Sequence, residues 1–256
     1  MSLTKTPEEI VSLREGGRRL AHIVRETAKR VAPGISVAEL NAFAERLTRE
    51  GGDTPAFLGY SPRGAKRPYP AAMCISVNEE VVHGISNEDP RTLTEGDIVS
   101  LDYGIVHKGL ITDHAVTVTA GHGNAQAKRL VKATEEALVA GIKAARAGNH
   151  VGDIGVAVEA VGLAHRYGVV YELGGHGVGH KVHEEPYIPN VGHPDAGMEL
   201  VPGMVLAIEP MFTEGSADVR LMPDGYTYVT RDGSRAAHFE HTIVITDGAP
   251  EIITKV

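Results

Sequence analysis

The sequence predicts an α+β fold made of two related halves, each with two helices followed by antiparallel strands around a shared centre. Three observations carry this reading. The order helix, helix, strands occurs twice along the chain. The helix pairs break at "APGISVAEL" and again at "ARAGNHVGDI", with Gly34, Val37, Glu39 and Leu40 echoed by Gly148, Val151, Asp153 and Ile154. Two strand patterns also recur: "LTEGDIVSLD" with "LVPGMVLAIE", and "TDHAVTVTAG" with "FEHTIVITDG".

The first helix is announced by Thr6-Pro7-Glu8-Glu9, a capping box with proline at the first helical position. Ile10, Leu13, Leu20, Ile23 and Val24 follow at helical spacing, and Pro33-Gly34 closes the segment. A second box, Ser36 to Glu39, opens a helix carrying Leu40, Phe43 and Leu47, which stops at Gly51-Gly52. The β-rich runs "AAMCISVN", "GDIVSLDYGIV" and "LITDHAVTVT" come next. Helices then return over about Asn124 to Arg146 and Val151 to Arg166, followed by strands at "MVLAIEPMF", "ADVRLM", "YTYVT" and "FEHTIVIT". No low-complexity tract or long linker intervenes. The chain therefore reads as a single catalytic domain, 1–256, with internal halves of about 1–122 and 123–256.

Hydrophobic residues make up 42% and charged residues 23%, enough for a full core. The net charge of -8 argues against a nucleic-acid or anionic-membrane surface. No apolar run approaches the ~18 residues of a membrane span, and "MSLTKTPEEI" lacks the apolar stretch of a signal peptide. A lone cysteine, Cys74, rules out an internal disulfide and thiolate-rich zinc sites, and suits a reducing, cytoplasmic compartment. Thirteen histidines direct attention to histidine and carboxylate chemistry.

A strand alternates its side chains with period two. If Asp113 points to the centre, His114 points away, and likewise Glu240 and His241. Asp102 and Glu209 end the other matched pair of strands, so four carboxylates converge near the axis. Buried together they repel, unless cations compensate. Two divalent ions match the four charges, and such pairs stand ~3.5–4 Å apart with a water between them. In "ELGGHGVGHKVHEEP" glycines surround His176, whose neutral imidazole completes the site. Oxygen-dominated ligation with one nitrogen suits manganese, iron, cobalt or zinc better than copper. The chain has no H-E-x-x-H, G-x-S-x-G or G-x-x-x-x-G-K-[ST] motif. Cys74, flanked by apolar residues, reads as core or pocket wall rather than as a nucleophile.

These motifs resemble those of type I methionine aminopeptidases: "CISVNEEVVHGI", Asp102 with Asp113, "GGHGVGHKVHEEP", "AIEPMF" and "FEHTIVIT". The similarity runs over nearly the whole chain. It implies the duplicated pita-bread (creatinase/aminopeptidase) fold and a hydrolase that removes N-terminal methionine from nascent polypeptides, preferring a small second residue. The implied ligands of two divalent ions (Co, Mn, Fe or Zn) are Asp102, Asp113, His176, Glu209 and Glu240. The resemblance adds His83 and His183 as catalytic residues touching substrate, and Glu209 as the proton shuttle. It lines the methionine pocket with Phe57, Tyr60, Tyr69, Cys74, Val182 and Tyr226. Many relatives have a cysteine at the first of these positions and a tryptophan at the last, and the 61–68 loop "SPRGAKRP" is longer than usual. By the same analogy the enzyme is a cytoplasmic monomer with transient ribosome contact, short and bacterial in type, without a zinc-finger extension.

Two rivals share the fold. A proline-directed peptidase would keep all five ligands, but those enzymes usually carry an extra N-terminal domain. A non-catalytic binding module would tend to lose ligands, and none is lost here.

Overall fold

A computed structural model of the chain describes residues 3–62, 64–88 and 90–255. Both ends of the 1–256 reading, and Arg63 of the longer loop, lie outside the described residues.

Helix α1 (Pro7–Ala28) begins at the predicted capping box: Glu9 N donates to Thr6 Oγ1 at 3.2 Å and Thr6 N to Glu9 Oε2 at 2.8 Å. Helix α2 (Val37–Glu50) begins at Ser36, whose amide donates to Glu39 Oε2 at 2.9 Å. Strands β1 (Thr54–Pro55), β2 (Cys74–Val77), β3 (Glu80–Val82), β4 (Ile98–His107) and β5 (Leu110–Thr119) complete the first series. Helices α3 (Ala125–Ala144) and α4 (Val151–His165) open the second. After them come β6 (Gly168–Val169), β7 (Gly174–Gly177), β8 (Glu184–Pro189), β9 (Val205–Ile208) and β10 (Met211–Thr213). The last five are β11 (Val219–Leu221), β12 (Tyr228–Thr230), β13 (Ala236–His238), β14 (Glu240–Val244) and β15 (Glu251–Ile252).

The echo at the helix pairs recurs in their backbone hydrogen bonds. Gly34 and Gly148 both take positive φ, 92° and 86°, which a side chain would disfavour. Gly34 N donates to Leu93 O and Gly148 N to Leu200 O; Val37 N donates to Arg91 O and Val151 N to Met198 O. Asp153 accepts the His150 amide at 2.7 Å, just as Glu39 accepts that of Ser36.

The main sheet has nine strands, ordered β1-β4-β5-β14-β9-β7-β8, with β2 also on β4 and β15 also on β14. At its middle β5 and β14 run antiparallel, placing His241 opposite His114 and Glu240 opposite Ala115. The α1 and α2 side packs Leu20, Ile23, Val24 and Leu40 against Leu101, Tyr103 and Ile105. On the α3 and α4 side, Leu138, Ile142 and Ile154 pack against Leu206, Ile208 and Ile243.

Two strand readings change. The run "MVLAIEPMF" is not one strand: β9 ends before Glu209, and β10 resumes after Pro210 in a separate three-stranded sheet. Proline has no N–H for the ladder, so the chain breaks there and changes sheets. Strands β7 and β8 are not among the β-rich runs the sequence marks. Tertiary packing overrides the poor strand propensity of "GGHG", because the neighbouring backbone comes so close. A Cβ on Gly175 would lie 2.2 Å from Ala207 O, and one on Gly177 2.1 Å from Glu185 O. These glycines thus make room for adjacent strands.

Candidate metal centre and substrate cavity

Register explains why the predicted acids meet. Asp102 on β4 lies opposite Ala115 on β5, and Ala115 lies opposite Glu240 on β14. Asp113 is two residues from Ala115 and shares its face. Glu209 directly follows β9, whose Ile208 pairs with His241, the residue after Glu240. The three acids on strands are buried, Asp102 to 8%, Asp113 to 3% and Glu240 to 2% exposure. At the centre Ala115 is fully buried and offers only a methyl group, which leaves the space the acids share.

Asp113, His176 and Glu240 bring donor atoms within 4.8 Å of one another. His176 Nε2 is 3.4 Å from Glu209 Oε1. His176 Nδ1–H donates to Gly177 O at 2.9 Å, which leaves the Nε2 lone pair facing the acids. Burial holds its pKa down at about 3, so the ring is neutral. Thr242 fixes Asp113 by its main chain, accepting the Asp113 amide at 2.9 Å and donating to its carbonyl at 2.7 Å.

Charge is poorly compensated here. Burial raises Asp113 to about 7. Burial first, and the neighbouring acids second, raise Asp102, Glu209 and Glu240 well above the carboxylate range. Asp102 Oδ1 and Glu240 Oε1 are buried without a hydrogen-bond partner among the described residues. Buried acceptors without donors, beside a neutral imidazole with a free lone pair, are what divalent cations satisfy. The donor set fits such ions.

Above the acids is a cavity of about 370 Å³, lined by Phe57, Tyr60, Tyr69, Cys74, Val182 and Tyr226 as well as by His83 and His183. Every predicted site residue therefore borders one space. Tyr69 and Tyr226 meet edge to face at 5.1 Å, and Tyr69 O–H donates to Gly84 O at 2.8 Å. Gly104 lies on the same sheet face as Asp102, and a Cβ there would come within 2.7 Å of the Phe57 ring. The longer loop adds Pro62, Gly64 and Ala65 to the wall. It is closed by Tyr69 N donating to Tyr60 O at 2.8 Å, and held by Arg67, which grips Glu88 at 2.5 and 2.7 Å.

His83 is held at φ 61°, a costly conformation for a non-glycine residue, and burial lowers its pKa to about 4. The His183 ring stands edge-on to His176 at 4.4 Å, with Nδ1 2.7 Å from the Tyr60 hydroxyl. His238 lies beneath, its Nε2 3.6 Å from Glu209 Oε2. Residue-level reading missed Leu173, Leu221 and Tyr228, which also line the cavity. Leu173 directly precedes the "GGHG" stretch, the one available signal; Leu221 and Tyr228 arrive from strands with no local marker.

The family model for metallopeptidase family M24 matches residues 11–247. The chain belongs to metallopeptidase family M24. It is 43% identical over 250 residues to the methionine aminopeptidase of Aquifex aeolicus, covering 96% of each chain. Methionine aminopeptidase 1 of Bacillus subtilis is 42% identical over 256 residues, covering 100% of both. The solved methionine aminopeptidase of Thermotoga maritima superposes with a TM-score of 0.94 at 42% identity over 99% of each chain. Prolidase from Pyrococcus furiosus reaches a TM-score of 0.76 at 21% identity over 99% of this chain and 66% of its own, a likeness of fold alone. The M24 pita-bread fold and metallopeptidase class expected from the sequence are therefore borne out. No helix among the described residues is long and apolar enough to cross a membrane.

Proposed function

We propose that this M24 chain is a methionine aminopeptidase, hydrolysing the first peptide bond of polypeptides that begin with methionine. The observation that carries this reading is the convergence of Asp102, Asp113, His176, Glu209 and Glu240 at the floor of an apolar cavity closed by Phe57, Tyr69, Cys74, Val182 and Tyr226.

Those five polar residues would hold two divalent ions (manganese, iron, cobalt or zinc), which when bound supply Lewis acidity and an activated water. The apolar wall takes the methionine side chain and excludes bulk water. Glu209 accepts a proton from the attacking water and returns it to the leaving amine. Its position between His176 and His238 supports that part. With the Tyr60 hydroxyl as donor across its 2.7 Å contact with His183 Nδ1, the ring proton sits on Nε2, and neutral His183 can donate to the carbonyl oxygen as negative charge develops. His83 contacts the peptide just past the scissile bond. Together the two histidines narrow the space beyond that bond, favouring a small second residue. On this reading the substrates are nascent chains in the cytoplasm, met by a monomer in transient contact with the ribosome.

The test is peptide cleavage by metal-stripped protein to which Mn, Fe, Co or Zn is added singly. Metal-dependent release of methionine from Met-Ala-Ser, with Ala-Pro-Ser untouched, is expected. Cleavage of Ala-Pro-Ser alone would make the chain a proline-directed peptidase, and inactivity on both with every metal would favour a binding module.

A further inference from the structure

Beyond the catalytic cavity, the molecule carries a track of hollows that the one-residue pocket does not use. Past His176 and His183, which line both spaces, lies an open groove of about 610 Å³. Leu3, Gly174, Gly175, Lys181, Glu185 and Tyr187 form its sides. Glu185 and Tyr187 also border a third hollow of about 480 Å³, which continues past Pro186 and Pro189 to Val151 and Met198. The second and third spaces follow β8.

Tyr187 is the centre of this track. It lies directly across the ladder from His176, so both side chains leave the sheet on the same face. Its ring lies over Gly174, where a Cβ would come within 2.8 Å of the hydroxyl. The side chain is nonetheless 49% exposed, an aromatic surface presented to the groove.

We infer that this track holds the substrate's own chain beyond the scissile bond, with Tyr187 as its main contact; the inference rests on the aminopeptidase reading. The first residue occupies a blind pocket, since Phe57, Tyr69, Cys74, Val182 and Tyr226 are each less than 9% exposed. The rest of a polypeptide must leave by a path continuous with the catalytic residues, and the groove bordered by His176 and His183 is such a path. Recognition does not come from adding a strand to β8. That strand ends the sheet, but Pro186 and Pro189 have no N–H to offer. An aromatic face in a groove that also carries Lys181, Glu184 and Glu185 instead makes contact with little demand on sequence, as an enzyme acting on many proteins requires. At about 3.3 Å per residue, the six residues of β8 match about six extended substrate residues.

The test uses the metal-loaded enzyme on Met-Ala-Ser and on the same peptide extended by neutral residues to a length of eight. The expected result is kcat/KM rising about three- to tenfold with length, the value of one aromatic contact, and mainly through KM. Tyr187→Ala should abolish that rise, slowing the octapeptide more than Met-Ala-Ser. Tyr171→Ala, removing a tyrosine 48% exposed outside the groove, should preserve it. A flat length profile in the parent enzyme overturns the inference. So does Tyr187→Ala slowing the tripeptide as much as the octapeptide. Tyr187-dependent self-association with a flat profile would give the groove to a second copy. If the parent enzyme fails on Met-Ala-Ser, the aminopeptidase reading falls instead. Binding of the labelled octapeptide, compared between parent and Tyr187→Ala, then decides the groove separately: equal binding overturns it.

Discussion

His114 and His241 stack with ring centroids 4.7 Å apart and planes 5° from parallel. They are direct partners across β5 and β14 and equivalent residues of the two matched strands, so the pseudo-twofold axis passes between them. One position earlier on each strand, Asp113 and Glu240 leave by the opposite face. The rings point away from the acids as the strand period requires, but not into water: His114 is buried and His241 half-buried, its Nδ1 2.9 Å from Thr254 Oγ1.

This pair therefore braces the centre from behind, since His114 Nδ1–H donates to Glu240 O at 2.5 Å. His114→Ala removes that bond and the stacking, at a cost of about 2 kcal/mol or more. Chemical denaturation should register the loss, and metal affinity should fall with it as Glu240 loosens.

The raised carboxylate pKa values set the pH response of metal-free protein. Native acids hold protons that the unfolded chain releases above about pH 4. Through these acids the native state binds more protons, and their contribution falls as pH rises from about 4 through the Asp113 value of about 7. The histidines that burial keeps neutral, among them His83, His114 and His176, act in the opposite direction below about pH 6.5. Metal binding selects deprotonated ligands and acts in the opposite direction. Chelator-treated protein should melt lower at pH 8 than at pH 6.5, above which the histidines no longer oppose the acids, and the gain in Tm on adding metal should widen between those values. Equal gains at both values would contradict this.

Gly104→Ala tests the pocket floor. The new methyl group would meet Phe57 at 2.7 Å and push its ring into the methionine space. KM for Met-Ala-Ser should rise several-fold with kcat little changed, the pattern of lost substrate binding.

Lys5 tests how the His183 loop is held. Its amine, on a side chain only 1% exposed, donates to Glu184 Oε2 at 2.7 Å. The other oxygen of Glu184 accepts the amides of His180 at 2.6 Å and Lys181 at 2.8 Å. Lys5→Met leaves that carboxylate without its cation, at a cost of about 3–5 kcal/mol. Hydrogen exchange at His180 and Lys181 should accelerate more than at the amides of β5.

What the sequence disclosed divides along physical lines. Capping boxes and carboxylate spacing are local signals, so the helices and the Asp102, Asp113, Glu209 and Glu240 set were legible. His176 stood out through its glycines, although their purpose is close strand packing. His83 and His183 have no local signature and came only from family resemblance. Ala115 and Gly104 act by what they lack, a side chain in a crowded place, and only register exposes that. Leu221, Tyr228 and the Tyr60–His183 contact depend on chain returns over long separations, which periodicity does not encode.

The central claim is that acids matched between two halves build one dinuclear centre. Its most direct measurement is calorimetric titration of metal-stripped protein with manganese, for the parent chain and for Asp102→Asn and Glu240→Gln, with methionine release followed in parallel. Two ions per chain are expected in the parent, and in each variant loss of at least one ion together with most of the activity. One ion or none in the parent at full activity, or both variants keeping two ions and normal turnover, would contradict it.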